Sequence, residues 1–334
     1  MYKRQQFSNR DNTFFYGAII IVAVLLATRS QRMIEHLILI LLVVFGIYYG
    51  AEFITTSWWD SLSSGVRFVG TTGTHPNRLG MTLLVLPSLG LGALAMVKGK
   101  AGRIALGASA AVFTFFLLLV KSRSCLLVFG LVNIPLSVLI YGKWGQWRSR
   151  ILVAAVIIVL VVPLASYLWL THASDERNTS QGIYGRVEAW QISMTLAADG
   201  PWYRTLIGHG SYKRGYQKLV DHFGRHSRHY PGEPVHAHNI YLQTLVDSGF
   251  IGLAGLSLFV GSLFLGLISG YRDPDQDSKV PGVLLVAMCT ILAMGFLDNS
   301  LQSLSGKLYY GIIAMGSASV SQSVSMKSSY HPKL

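Results

Sequence analysis

Acidic residues are scarce in this chain. There are 15 Asp plus Glu against 28 Lys plus Arg in 334 residues, and charged residues of all kinds make up only 13%. A soluble domain carries about 25% charged residues, so a single water-exposed globule is excluded. Cysteine is nearly absent. The two that occur, Cys125 and Cys289, both sit in apolar runs and read as packed thiols, not as a disulfide framework or a zinc site. The sequence holds no P-loop, no GxGxxG after a strand, no GxSxG elbow and no HExxH. Nucleotide binding, α/β-hydrolase chemistry and zincin chemistry therefore find no support. No internal repeat is visible. The polar stretch Met1–Asn12 is followed by an apolar run without a signal-peptide cleavage pattern.

What the chain has in quantity is apolar length, with 51% hydrophobic residues. Runs near the ~20 residues needed to cross a bilayer recur, and they lack the polar face that a soluble helix keeps. About nine candidate spans are predicted, at roughly 14–28, 33–54, 79–97, 104–120, 124–142, 151–170, 240–269, 281–298 and 306–322. The seventh is long and broken at Ser248-Gly249, which predicts a half-buried helix followed by a true span. The fold class expected is all-α: a polytopic transmembrane bundle forming one membrane domain over 1–334. The polar segment 171–238 is its one large loop.

Basic residues in short loops set the expected orientation. Arg29 and Arg32, Lys98, Lys100 and Arg103, Lys143, Arg148 and Arg150, Arg272 and Lys279, then Lys327 and Lys333 form the richer set and are assigned to the cytoplasm. The alternate set holds Arg67 and Arg78, Lys121 and Arg123, and Lys307. This places 171–238 outside. It also puts Lys3, Arg4 and Arg10 outside, against the rule, so upstream spans are expected to be missing from the N-terminus. The net charge of +13 reads either as membrane anchoring or as a basic site for an anionic substrate. Nucleic acid is not an expected partner, since no soluble basic domain exists to hold it.

Three arginine-bearing segments emerge on the outside face: Arg67 in RFVGTTGTHPNRLG, Arg123 in LLLVKSRSCLLVFG and Arg186 in YGRVEAWQISMTLAADGPW. Any one arginine can snorkel to headgroups. Three on one side fit a phosphate site better, because a guanidinium meets phosphate oxygens in a planar fork and offsets charge on a leaving group without a metal. His236, His238 and Asn239 follow in VHAHNIYLQTLVDSGFIG. Asn239 is the expected cap of a helix starting near Ile240. His238 then stands at the positive end of that helix, where imidazolium is disfavoured and a neutral imidazole suits a general base. The plainer reading is a histidine that hydrogen-bonds its loop.

Metal sites fare worse. His222 and His226 have helical spacing, but Gly224 lies between them. Asp273, Asp275 and Asp277 sit among prolines and read as a solvated turn. No cofactor and no metal are expected.

Taken in order, GTTGTHPNRLG, the KSR end of a span, GRVEAWQISMTLAADGPW with LIGHGSY after it, and HAHNIYLQTLVDSGFIG resemble the O-antigen ligase and polymerase superfamily of bacterial envelope glycan enzymes. The resemblance runs from about residue 67 to 255. It implies a multi-pass inner-membrane enzyme with a large periplasmic loop and an active site facing the periplasm. It implies transfer of a glycan from undecaprenyl diphosphate to an acceptor, which is lipid A-core in ligases, another lipid-linked repeat in polymerases and a protein hydroxyl in protein-directed members. Carried over by position, Arg123 and Arg186 hold the diphosphate and His238 is the catalytic histidine; Arg67, His236 and Asn239 complete the expected substrate contacts. A polymerase is the alternative, as is a transporter of an anionic glycolipid, because intramembrane charge also marks substrate paths.

Overall fold

The structure is a computed structural model. It describes residues 30–55, 58–59, 76–94, 96–141, 176–210, 214–218, 236–273, 279–298 and 310–321, with backbone alone at 31, 76–78 and 176–185. The described residues are helical and include no strand, so the all-α expectation holds. The expected spans at 14–28 and 151–170 lie outside the described residues, as do Arg67, His222, His226, Asp275 and Asp277.

The helices are α1 (Gln31–Thr55), α2 (Pro76–Ala93), α3 (Lys100–Val120) and α4 (Arg123–Tyr141). They continue with α5 (Glu176–Ala198), α6 (Trp202–Ile207), α7 (Ile240–Arg272), α8 (Lys279–Leu297) and α9 (310–321). Among the described residues, five helices are long and apolar enough to cross a membrane: α1, α3, α4, α7 and α8. The chain is a multi-pass helical membrane protein.

Two compact units form. One comprises Met1–Ser166, Leu263–Met294 and Leu301–Leu334. In it α2 packs along α3, and both pack against α1. Small residues make these crossings close. A Cβ on Gly90 would stand 3.0 Å from Ala110 Cβ, and one on Gly46 would stand 3.0 Å from Ser109 Oγ. That is how membrane helices gain van der Waals contact where lipid removes the hydrophobic drive. Polar groups add to it. Asn133 lies in a π-turn (Phe129–Asn133) inside α4. Its Nδ2 donates to Ser88 Oγ (3.0 Å) and Thr290 Oγ1 (3.1 Å), and Tyr141 donates to Ser88 O (3.1 Å).

The other unit comprises Tyr167–Ser262 and Gly295–Ser300. Its apolar core joins Leu196, Ala197, Tyr216, Ala237, Leu245 and Val246. The helix α7 breaks as expected. Gly249 adopts φ 65°, ψ −165°, a conformation that only glycine takes without strain. The stretch after it, Phe250 to Arg272, is about 34 Å long at 1.5 Å per residue, enough for one crossing.

Candidate active site

The segment before α7 is fixed by its own side chains. Asn239 Oδ1 accepts from Tyr241 N (2.9 Å) and Leu242 N (3.0 Å), so Asn239 is the helix cap expected from the sequence. Its Nδ2 donates to Phe296 O (3.2 Å), at the end of α8. Gln243 reaches back to accept from Ala237 N (3.0 Å), and its Nε2 donates to Asp247 Oδ2 (2.7 Å). His238, held between these ties, has φ 50°. The left-handed region costs a non-glycine residue about 1–2 kcal/mol. Among the described residues only Lys121 shares it outside glycine, and Lys121 stands two residues before Arg123.

Gly295 permits the approach of α8. A Cβ there would meet Ile240 Cγ2 at 2.7 Å, while the rings of Tyr241 and Phe296 meet at a tilt with centroids 4.3 Å apart. This brings Asp298, one residue past the end of α8, beside the histidine segment. Asp298 Oδ1 lies 3.4 Å from His238 Nδ1, and Oδ2 lies 3.8 Å from Arg186 Nη2. The rings of His236 and His238 meet edge to face at 4.1 Å. The carboxylate is 9% exposed, against 20% for Arg186 and 21% for His238, so its two partners reach toward solvent while the acid does not. Burial alone would raise the Asp298 carboxyl. The bond and charge of His238, with Arg186 and His236, outweigh it and hold that carboxyl below its ordinary value.

The structure thus brings together Arg186, His236, His238 and Asn239, which the sequence singled out, and adds Asp298 and Gln243, which it did not. The signal for Asp298 was faint: an acid closing an apolar run, in a chain with few acids. Arg123 belongs to the other unit. It opens α4 after left-handed Lys121, and a Cβ on Gly80 would meet Ser122 Cβ at 3.1 Å and Cys125 Sγ at 3.0 Å, so the turn is tightly seated. Arg123 Nε is buried and has no hydrogen-bond partner among the described residues. Arg67 lies outside them. The ligand atoms of His236, His238 and Asp298 lie within 4.8 Å of one another, the one such group among the described residues that could share a cation.

A carboxylate that turns an imidazole by its Nδ1 leaves Nε2 as the ring nitrogen for proton transfer. An arginine on the other carboxylate oxygen supplies a fixed positive charge next to it. This pairing suits attack by a hydroxyl on a centre bonded to an anionic leaving group. No curated protein is significantly similar to the chain. Residues 108–257 match the family model described as O-antigen ligase, a stretch that contains Arg123, Arg186, His236, His238 and Asn239 and stops short of Asp298. That stretch, 150 of the chain's 334 residues, is similar to the O-antigen ligase family.

Proposed function

We propose that this protein transfers a glycan from undecaprenyl diphosphate to an acceptor hydroxyl at the periplasmic face of a bacterial inner membrane, in the manner of an O-antigen ligase, with lipid A-core or another glycan as acceptor. The observation that carries the reading is Asp298 set between Arg186 and His238. His238 Nε2 takes the proton of the acceptor hydroxyl. Its oxygen forms a bond to the anomeric carbon, the carbon–oxygen bond to the diphosphate breaks, and the lipid diphosphate leaves with the electron pair. Direct displacement inverts the anomeric configuration. Arg186 has five N–H donors, enough to serve both a carboxylate and a phosphate. On the sequence resemblance, Arg123 is proposed as a further phosphate contact, and Arg67 and His236 as further substrate contacts.

The reaction needs no metal in this reading, because the guanidinium beside Asp298 occupies the role a cation would fill. Purified protein in liposomes, with no ion gradient and with chelator present, is expected to convert lipid-linked donor and acceptor to product. Movement of substrate across vesicles without product overturns the enzyme reading. Activity lost to chelator and restored by a divalent ion overturns the metal-free one, and would point to His236, His238 and Asp298 as ligands. Glycan profiles of a deletion strain separate ligase from polymerase: lipid-linked polymer accumulates for a ligase, single-repeat glycans for a polymerase.

A further inference from the structure

The helix α6 has no buried side chain. Trp202 is 75% exposed and Ile207 60%, with Tyr203 and Leu206 also exposed. In water such a helix would leave large aromatic and aliphatic surface wet, and a patch of this kind marks an interaction site. Its place in the unit says what covers it. The chain leaving α6 is fastened to the kink of α7 by His209 N donating to Val246 O (2.7 Å) and Gly210 N donating to Asp247 O (3.0 Å). A Cβ on Gly249 would meet Leu206 O, and Gly208 N at 2.6 Å, so the two backbones touch. After the kink, α7 is long and apolar enough to cross a bilayer, and the first residues of that stretch, Phe250 and Ile251, are exposed too. At six residues α6 is about 9 Å long. The polar zone of a bilayer is of similar depth on each side, about 5–8 Å, so no residue of α6 can stand far from it.

We infer that α6 is an interfacial anchor, seated in the headgroup zone of the bilayer where α7 enters. Trp and Tyr are the residues that favour this zone, each having an apolar ring and a polar tip. Arg204, half-buried at the last turn of α6, carries the charge that suits lipid phosphate. The apolar surface of α6 then continues the lipid-facing surface of α7 through Phe250 and Ile251. The anchor concerns the docking of the unit on the membrane and does not depend on the reaction proposed above.

The test uses single-cysteine proteins, Trp202→Cys and Ile207→Cys, in a background with Cys125→Ala and Cys289→Ala. Each is labelled with a polarity-sensitive dye and placed in phospholipid nanodiscs. Ile251→Cys is the reference for a lipid-facing site. Lipids brominated near the headgroup are expected to quench both α6 labels to an extent comparable with the Ile251→Cys label, while aqueous iodide quenches them weakly. Strong iodide quenching with none from lipid would show a solvated helix and overturn the inference. Quenching by neither would show a face covered by protein and overturn it equally. Lipid quenching at Ile251→Cys in the same samples establishes that the protein is inserted.

Discussion

Asp298 offers one oxygen to Arg186 and the other to His238, so replacing it by asparagine keeps the shape and removes the charge. Two outcomes are expected. Turnover falls, by less than the about 10²–10⁴ that loss of the base itself would cost, because Asp298 acts through the orientation of His238. Stability also becomes pH-dependent in a defined way. The folded carboxyl is held below its ordinary value, so its stabilisation is fully present above the ordinary carboxylate range of about 4 and is lost as pH falls through the folded value. The melting-temperature gap between wild type and Asp298→Asn is therefore widest at neutral pH and closes in acid; a gap that stays constant contradicts the linkage. Arg186 and His238 were legible in the sequence because GRVEAW and HAHN are local patterns. Asp298 was not, because its partners lie far from it along the chain, at residues 186 and 238. Only the close passage of α8 at Gly295 joins them.

At the scale of the element, the break in α7 separates a short first piece from a second piece long enough to cross a bilayer. The sequence showed it, since the apolar run 240–269 is longer than the ~20 residues a bilayer takes and contains Ser248-Gly249. The sequence did not show what glycine is for. Gly249 has φ 65° and faces the backbone of Leu206 and Gly208, so a side chain there meets main chain that cannot step aside. Gly249→Ala is expected to destabilise the protein by more than about 1 kcal/mol, read as a lower melting temperature in detergent, and to release α6 from the kink. An unchanged melting temperature would mean that the contact is soft. The π-turn of α4 was invisible in the sequence, because FGLVN reads as ordinary apolar helix; what fixes it is Asn133 satisfying its amide inside the bundle. The cap at Asn239 was read in advance, but its second bond, to Phe296 O, depends on packing and left no mark in the sequence.

For the molecule as a whole, we propose that 171–238 lies on the outer face, as the charge of the short loops suggests and as the proposed chemistry requires. A cysteine introduced at Ser180 is expected to react with an impermeant thiol reagent in intact spheroplasts. Labelling only after lysis would put the site on the wrong side for a lipid-linked donor presented outside. The apolar helices were legible from hydropathy where the structure describes the chain: α1 to α4, α7, α8 and α9 each fall on a predicted apolar run, whereas α5 and α6 lie inside 171–238, which reads as a polar loop in the sequence. The grouping into two compact units was not, since it depends on which helices pack against each other.

The central claim divides labour between Arg186 and His238, one holding the diphosphate and the other moving the acceptor proton. The measurement that tests it most directly is turnover alongside donor binding in the purified wild type, His238→Ala, His236→Ala and Arg186→Lys. His238→Ala is expected to lose about 10²–10⁴ in turnover while binding donor nearly as well as wild type. Arg186→Lys, which keeps the charge but loses the planar fork, is expected to weaken both donor binding and turnover. Near-normal turnover in His238→Ala would contradict the account. Loss of activity in His236→Ala alongside it would move the base to His236, and activity retained in both would leave arginine positioning as the source of catalysis.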